Sequence, residues 1–200
     1  MERRRFGRRL GDVVAVQEEL LAGEKTPEAP AAAAAPLAFA DLITTYQLPL
    51  VRLAYALCGN WASAEDCVAD AFAATWPHFQ RGKVTDPDRY LHRAVVNRVA
   101  SYHRRRARER LRLARLVPPD DEQAGPAEAS ADVDWVRRVM RDLPPDHREI
   151  VALRYLQDRP EAEVAAILGI PVGTVKSRLS RAMKLLRQAA LAEEQEGDGG

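Results

Sequence analysis

Near the carboxyl end of the chain, residues 171–187 (PVGTVKSRLSRAMKLLR) carry five basic and three hydroxyl side chains but no acid. Drawn as a helix, the segment has one apolar face, formed by Val172, Val175, Leu179, Ala182, Met183 and Leu186. Leu185 is the one apolar residue outside that face, and the rest of the helix presents cations and hydroxyls. Because exposed helix faces usually mix acids with bases, this unbalanced face predicts contact with a polyanion.

The residues just before this segment, EAEVAAIL and GIPV, predict a short helix and a tight glycine-containing turn, and hence a helix-turn-helix. The second helix of such a unit enters the major groove of DNA, with its first turns at base edges and its flanks on phosphates. The predicted DNA-binding residues are Thr174, Lys176, Ser177, Arg178, Arg181 and Lys184. Lys176, Ser177, Arg178 and Arg181 are early enough to reach bases, whereas Lys184 and Arg187 suit phosphate.

A second basic segment, residues 81–115, carries twelve bases against three acids. Within it, the predicted helix 87–110 has an apolar face of Leu91, Ala94, Val95, Val99 and Tyr102. Another face combines Asn with Arg, a pairing that suits hydrogen bonds to base edges together with phosphate contacts. Its predicted nucleic-acid residues are Arg93, Asn97, Ser101, Arg104 and Arg108. Phe79, in the predicted loop 77–87, either packs in the core or stacks on an unpaired base.

A third predicted helix, residues 63–79, carries the acids Glu65, Asp66 and Asp70. Its apolar side holds Cys67, Val68, Phe72 and Trp76, and Ser63 with Asp66 resembles a capping box at its start. Acids repel nucleic acid, so this surface is a candidate for binding a protein.

Helix formers dominate the composition, and no Val/Ile/Thr-rich run alternates with period two, so we predict an all-α fold. Two small helical domains, 38–111 and 133–190, are separated by a Pro-, Gly- and acid-containing linker, 112–132, predicted to be flexible. Residues 1–37 are predicted to be a disordered extension, with a basic arm near DNA or a regulatory tail as alternatives. Residues 191–200 are predicted to be an acidic, disordered tail.

The sequence contains no metal-ligand spacing, no Gly-rich phosphate loop and no constellation of nucleophile and base. We therefore expect no enzyme activity, no cofactor and no metal. The apolar runs are shorter than the roughly 20 residues that a membrane helix needs. The basic amino terminus lacks the apolar stretch of a signal peptide. A cytoplasmic protein without membrane insertion is expected.

Three segments together resemble a bacterial sigma factor of the sigma-70 family, in its extracytoplasmic-function (ECF) group and of actinobacterial appearance. They are AEDCVADAFAATW, LPPDHREIVALRYLQD and EVAAILGIPVGTVKSRLSRAMKLLR. The resemblance covers about 38–110 as sigma region 2 and 133–190 as sigma region 4, without regions 1.1 and 3. It implies a subunit that binds core RNA polymerase, at the beta-prime clamp and the beta flap, and promoter DNA.

By this resemblance, the helix 65–76 docks on the polymerase clamp through Glu65, Asp66, Ala69, Asp70 and Ala73. The helix from 87 to 108 opens and reads the minus-ten element, and Asn97 matches the family's asparagine in the RxxxN pattern (here RAVVN). The loop 77–87 would hold a flipped base, and the last helix would read the minus-thirty-five element. The linker would thread the RNA-exit path, and whether an anti-sigma factor masks these surfaces stays open.

The sequence departs from the family pattern at four positions. Ala69 replaces a usual Gln and Cys67 a Leu, which predicts a weaker polymerase contact, and Ser101 replaces a frequent Asp. Pro160 replaces a Ser or Thr that would cap the first helix of the helix-turn-helix, and a proline suits the first helical position.

The TVKSRL motif also resembles the output domain of LuxR-type regulators, which bind DNA as dimers without joining the polymerase. Against this alternative, the amino-terminal half shows no phosphoacceptor or ligand-binding pattern and has a basic helix of its own.

Overall fold

The computed structural model describes residues 39–113 and 140–197, and all regular secondary structure within these ranges is helical. The predicted all-α fold is therefore confirmed for the described part of the chain. The chain folds into two compact units. The predicted extension 1–37 and nearly all of the linker 112–132 lie outside the described residues, so the predicted domain boundaries stay predictions.

The first unit is a bundle of three helices that pack on one another: α1 (Phe39–Cys58), α2 (Trp61–Gln80) and α3 (Pro87–Leu113). Its largest fully buried side chains are Leu42, Leu50, Leu53, Val68, Leu91, His92 and Val95. Most of these follow the apolar periodicity of each helix. His92 is the polar exception, and its Nδ1 lies 2.8 Å from the carbonyl oxygen of Asp88, so the buried ring keeps a hydrogen-bond partner.

The turn between α1 and α2 corrects the predicted capping box. Asn60, with φ −130° and ψ 125°, is the N-cap, and its Oδ1 accepts a 2.8 Å hydrogen bond from the Ser63 amide. Gly59 at φ +78° ends α1 in the left-handed region. Ser63 therefore lies inside α2, where its hydroxyl donates to the Tyr102 hydroxyl at 3.2 Å. Asn caps a helix as well as Ser does, so residue type alone could not choose between the two starts.

The end of α2 corrects the predicted loop 77–87. The helix continues through Pro77 to Gln80, and the connection is only residues 81–86, turning at Gly82 with φ +63°. Pro77 has no N–H to donate, so one intrahelical hydrogen bond is missing there, and the helix ends three residues later. Asp86 then caps α3 by accepting a 3.0 Å bond from the Arg89 amide, with Pro87 at the first helical position. Phe79 thus lies on a helix and not in a loop.

In the second unit, residues 140–142 are helical and are followed by α4 (Pro145–Val151), which continues as a π-helical turn over Ala152–Leu156. Then come α5 (Glu161–Leu168) and α6 (Val172–Gly197). The helices α4 and α6 pack against each other. Buried apolar side chains of this unit include Met140, Leu143, Ile150, Leu153, Val164, Val175 and Ala182.

Helices α5 and α6 form the predicted helix-turn-helix. Gly169, at φ 68° and ψ 36°, ends α5 in the left-handed conformation that glycine adopts most readily. The carbonyl of Pro171 accepts bonds from the amides of Thr174 (2.9 Å) and Val175 (3.2 Å) and so begins α6. Pro160 corrects one expectation, because it is the N-cap of α5, without a side-chain hydrogen bond, and not the first helical residue.

The last helix differs from the prediction at both ends. Val172, predicted to lie on the packing face, is 38% exposed. A helical wheel shows which way a side chain points, but it does not show how far the neighbouring elements extend to cover it. At the other end α6 runs to Gly197 and includes most of the predicted tail 191–200, because residues 191–196 are Leu, Ala, Glu and Gln, all good helix formers. Residues 198–200 lie outside the described residues.

Candidate nucleic-acid and protein interfaces

The predicted nucleic-acid residues of α3 share one solvent-exposed face. Leu91, Val95 and Val99 are buried on the opposite side. The spacing of three or four residues places the exposed side chains in one row along the helix. We call this row the α3 polar face, and it consists of Arg93, Asn97, Ser101, Arg104 and Arg108, all exposed.

Hydrogen bonds order part of the α3 polar face. The Ser101 hydroxyl donates to the Asn97 carbonyl at 2.8 Å and accepts from an Arg104 guanidinium nitrogen, also at 2.8 Å. The Arg108 Nε donates to the Arg104 carbonyl at 3.3 Å. No hydrogen bond to the Asn97 side-chain amide occurs within the described residues. This amide can therefore donate to and accept from a base edge, beside guanidinium groups that suit phosphate.

Phe79 belongs to an aromatic cluster where α1 begins and α2 ends. Its half-buried ring lies 5.2 Å from the ring of Phe39 and 6.4 Å, nearly parallel, from that of Trp76. Because Trp76 closes the apolar stripe of α2, the sequence predicts it in the core, but its side chain is 42% exposed, so this prediction is wrong. Phe79 is partly buried, so its two predicted roles, packing in the core and stacking on an unpaired base, both stay predictions. The i,i+3 spacing of Trp76 and Phe79 is the sequence signal for this ring pair.

The predicted protein-binding residues of α2 also share one face. We call it the α2 acidic face, and it consists of Glu65, Asp66, Ala69, Asp70 and Ala73, all exposed. None of its three acids forms an ion pair within the part of the chain that the structure describes. An exposed row with negative charge and two small side chains can receive a basic or close-packing partner surface.

A cleft of about 240 Å³ separates the α2 acidic face from α3. Asp66 and Asp70 line one wall, and Arg98 and Arg105 line the other. These arginines were missed from the sequence, because they lie beside the α3 polar face and their relation to α2 depends on how the helices pack. Cys67 lies below the acids, where burial raises the pKa of its thiol to about 11. Cys67 is thus a protonated core residue and not a contact residue.

The predicted DNA-binding residues of α6 also lie together. Lys176, Ser177, Arg181 and Lys184 are exposed, whereas Thr174 and Arg178 are half-buried. Val175, Ala182 and Leu186 are buried on the other side, as predicted. We call the set Thr174, Lys176, Ser177, Arg178, Arg181 and Lys184 the α6 basic face.

The prediction that no acid neutralises the α6 basic face is wrong for two of its cations. The Arg178 Nε lies 3.3 Å from Asp146 Oδ2 of α4, and Lys176 Nζ lies 3.9 Å from Glu161 Oε2 of α5. Both acids come from other helices, so the sequence of α6 contained no sign of them. Arg181 and Lys184 form no ion pair among the described residues.

Glu149, one turn after Asp146 on α4, lies in the same charged cluster. Burial raises the pKa of its carboxyl group above the ordinary value of 4.5, and the charge of Asp146 raises it further. The positive charges of Arg178 and Arg148 act in the opposite direction but do not cancel the effect. Folding therefore opposes the ionisation of Glu149.

This pKa shift predicts how Glu149→Gln changes the pH dependence of stability. Between pH 4.5 and the higher folded-state pKa, the folded chain binds more protons than the unfolded chain, so stability falls as the pH rises through this window. Glu149→Gln should remove that decline and raise the free energy of unfolding at pH 7. Urea unfolding from pH 4 to 8 measures both effects, with Glu163→Gln, an exposed carboxylate of the same unit, as the matched control. A variant curve parallel to that of wild type contradicts the assignment.

Within residues 39–113 and 140–197, no group of three or more His, Cys, Asp or Glu side chains is placed to hold a metal ion. In the same residues, no helix is both long and apolar enough to cross a membrane.

Comparison with protein families gives two matches. Residues 42–109 match the family model of Sigma-70 region 2, and residues 134–186 match that of Sigma-70, region 4. The first match contains the α2 acidic face and the α3 polar face, and the second contains the α6 basic face.

Two curated relatives align over most of their length. The chain is similar to the RNA polymerase sigma-E factor of Streptomyces coelicolor, with 31% identity over 161 residues, 79% of this chain and 89% of the relative. It is also similar to the ECF RNA polymerase sigma factor SigL of Mycobacterium tuberculosis, with 32% identity over 165 residues, 78% of this chain and 91% of the relative.

Two solved structures are similar as well. One is the sigma factor RpoE in complex with the anti-sigma factor NepR from Bartonella quintana, with a TM-score of 0.63, 25% identity and coverage of 75% of this chain and 96% of that one. The other is CnrH in complex with the cytosolic domain of CnrY, with a TM-score of 0.55, 26% identity and coverage of 78% and 88%.

Proposed function

The chain belongs to the extracytoplasmic-function group of the sigma-70 family, and from this premise we propose which of its surfaces performs each step of initiation. It is a sigma factor, which binds core RNA polymerase and directs promoter-specific transcription initiation. Sigma factors are regulatory subunits that generally lack enzymatic activity, and we propose the same for this chain.

The α3 polar face is our candidate for reading the minus-ten element. Asn97 offers a free amide for one base edge, and Arg93, Arg104 and Arg108 offer guanidinium groups for the flanking phosphates. Phe79, with Trp76 beside it, offers an aromatic surface for a base that leaves the stack. These roles all require accessible side chains, which the burial pattern of α2 and α3 supports.

The α6 basic face is our candidate for reading the minus-thirty-five element. It occupies the second helix of the helix-turn-helix, the helix that enters the major groove in this motif. Lys176, Ser177 and Arg181 occupy its early, exposed turns, and Lys184 lies one turn further along, where it suits phosphate.

The α2 acidic face is our candidate for docking on the polymerase, at the beta-prime clamp, and we propose that the second unit contacts the beta flap. The supporting observation is an exposed helix face with three unpaired acids among the described residues, in the same unit as the α3 polar face. Negative charge there favours a protein partner and disfavours DNA, so the two faces need not compete for one ligand.

The observation that carries this proposal is that positive and negative charges lie on different exposed helix faces. Each unit that matches a sigma region presents one helix face rich in cations and hydroxyls, and the first unit also presents the exposed α2 acidic face. Either unit alone would bind DNA weakly. Docking both on one polymerase raises their effective concentration at a promoter and supplies the missing affinity.

The LuxR-type alternative explains less of the chain. It accounts for a helix-turn-helix in residues 161–187 but not for the match of residues 42–109 to Sigma-70 region 2. We propose that the protein acts in the cytoplasm, together with core polymerase and promoter DNA. One similar solved structure is a sigma factor in complex with an anti-sigma factor, so we propose an anti-sigma factor as a further partner.

Selection of genomic fragments with and without core polymerase tests this proposal. We expect fragments to be retained only when both proteins are present, and the retained fragments to share two elements at a fixed spacing. Fragments retained by the chain alone, with a single inverted repeat, would instead indicate a dimeric stand-alone regulator.

A further inference from the structure

One member of the α6 basic face differs from the others in its surroundings. The Arg178 side chain is 32% exposed, about half the 65% of Lys176, and its Nε lies 3.3 Å from Asp146 Oδ2. Arg181 and Lys184, in contrast, are exposed and form no ion pair among the described residues. The Arg178 guanidinium thus already pairs with a carboxylate of the same unit, whereas a residue that reads a base needs its polar atoms available for DNA.

Asp146 is well placed to hold Arg178. It lies in the first turn of α4, where the positive end of the helix dipole stabilises a carboxylate. Its Oδ1 lies 3.0 Å from His147 Nδ1, so each carboxylate oxygen has one partner. Glu149, three residues further along, lies on the same side of α4 and adds negative potential near Arg178.

The same end of α4 is also tied to the segment before it. Arg148 donates hydrogen bonds from one guanidinium nitrogen to the carbonyls of Arg141 and Leu143. The amino-terminal turn of α4 therefore connects residues 140–143 on one side with α6 on the other.

We propose that Arg178 is a positioning residue: its ion pair with Asp146 fixes the orientation of α6, so that Lys176, Ser177 and Arg181 meet the base edges. This inference rests on the proposed function of the α6 basic face and changes the role predicted for Arg178. If Arg178 turned to a base, the Asp146 carboxylate, which is 45% exposed, would lose its countercharge and lie close to DNA phosphates, and like charges repel.

Removing Asp146 distinguishes this role from simple electrostatics. Deleting an acid from a DNA-binding domain normally strengthens binding to a polyanion. If Asp146 orients α6, Asp146→Asn should instead weaken the binding that depends on the minus-thirty-five element, by about fivefold, the upper range for a partly exposed ion pair. Glu161→Gln is the matched control, because Glu161 makes only a 3.9 Å contact with the exposed Lys176, and it should leave binding unchanged or stronger.

The experiment uses holoenzyme formed from core polymerase and the full chain, on a selected promoter with either an intact or a scrambled upstream element, over a range of salt concentrations. Asp146→Asn and Arg178→Gln should each lower the advantage of the intact element, with the salt dependence of binding unchanged. Arg178→Lys, which keeps the charge, and the exchange Asp146→Arg with Arg178→Asp should each recover most of the loss. Thermal unfolding of each variant, followed by circular dichroism, reports whether the second unit, which contains both residues, remains folded.

Two results would overturn the inference. In one, Arg178→Gln lowers the salt slope by about 0.9, as loss of a phosphate contact does, while Asp146→Asn strengthens binding. In the other, the charge exchange is no better than either single variant. If the wild-type holoenzyme bound promoters with the intact and the scrambled upstream element equally well, the proposed function itself would be contradicted. That result is distinct from the two that overturn the role of Arg178.

Discussion

Replacing Asn97 by alanine should reduce promoter opening by about 5- to 150-fold, the equivalent of the roughly 1–3 kcal/mol that a bidentate base contact contributes. The Asn97 amide is exposed, forms no hydrogen bond within the described residues and lies between Arg93 and Ser101 on the α3 polar face. Because it supports no other side chain, its removal should affect DNA reading and not the fold.

Two assays distinguish an effect on DNA reading from an effect on docking. Permanganate reactivity of unpaired thymines measures promoter opening by the holoenzyme, and a binding titration measures the affinity of the chain for core polymerase. We expect the first to fall and the second to stay within about twofold, a change of less than about 0.5 kcal/mol. Glu109→Ala, at an exposed position of α3 outside the polar face, is the control and should change neither. Equal losses in both assays would show that Asn97 does not read a base.

Reversing the charge of the α2 acidic face should weaken binding to core polymerase, which Asn97→Ala should leave unchanged. Asp66→Arg combined with Asp70→Arg should weaken binding to core polymerase by at least about tenfold, because like charges facing each other across an interface cost several kcal/mol. Both side chains are exposed, and neither forms an ion pair among the described residues, so the fold should be retained. Binding to core polymerase can be measured by fluorescence anisotropy of the labelled chain without any DNA.

Glu109→Arg is the matched control for this pair, since it reverses an exposed acid on α3. A normal affinity of the double variant, together with a normal melting temperature, would remove the α2 acidic face from the polymerase interface. The neighbouring Arg98 and Arg105 across the cleft would then become the next candidates.

Periodicity along the chain was sufficient to predict the helices and their buried faces. Leu91, Val95 and Val99 on α3, and Val175, Ala182 and Leu186 on α6, are buried as the helical wheels predict. Such predictions succeed because the 3.6-residue repeat sets the direction of each side chain without reference to the rest of the fold. The exposed faces follow from the same repeat, which is why their members lie together.

The errors concern interactions between segments. The ion pair of Arg178 with Asp146 joins residues 32 positions apart, and no property of α6 alone indicates it. The walls of the cleft between α2 and α3 likewise depend on the packing of two helices. Helix ends were misplaced for a local reason. Asn60 and Ser63 are both good caps, and Pro77, a residue type that usually breaks a helix, is here followed by three more helical residues.

Run-off transcription with purified core polymerase on a pool of genomic fragments, with and without this chain, tests the central claim most directly. We predict discrete new transcripts whose start sites share two upstream elements at a fixed spacing, and which appear only when the chain is added. No new transcripts, from fragments that the chain still binds in the absence of polymerase, would contradict the account.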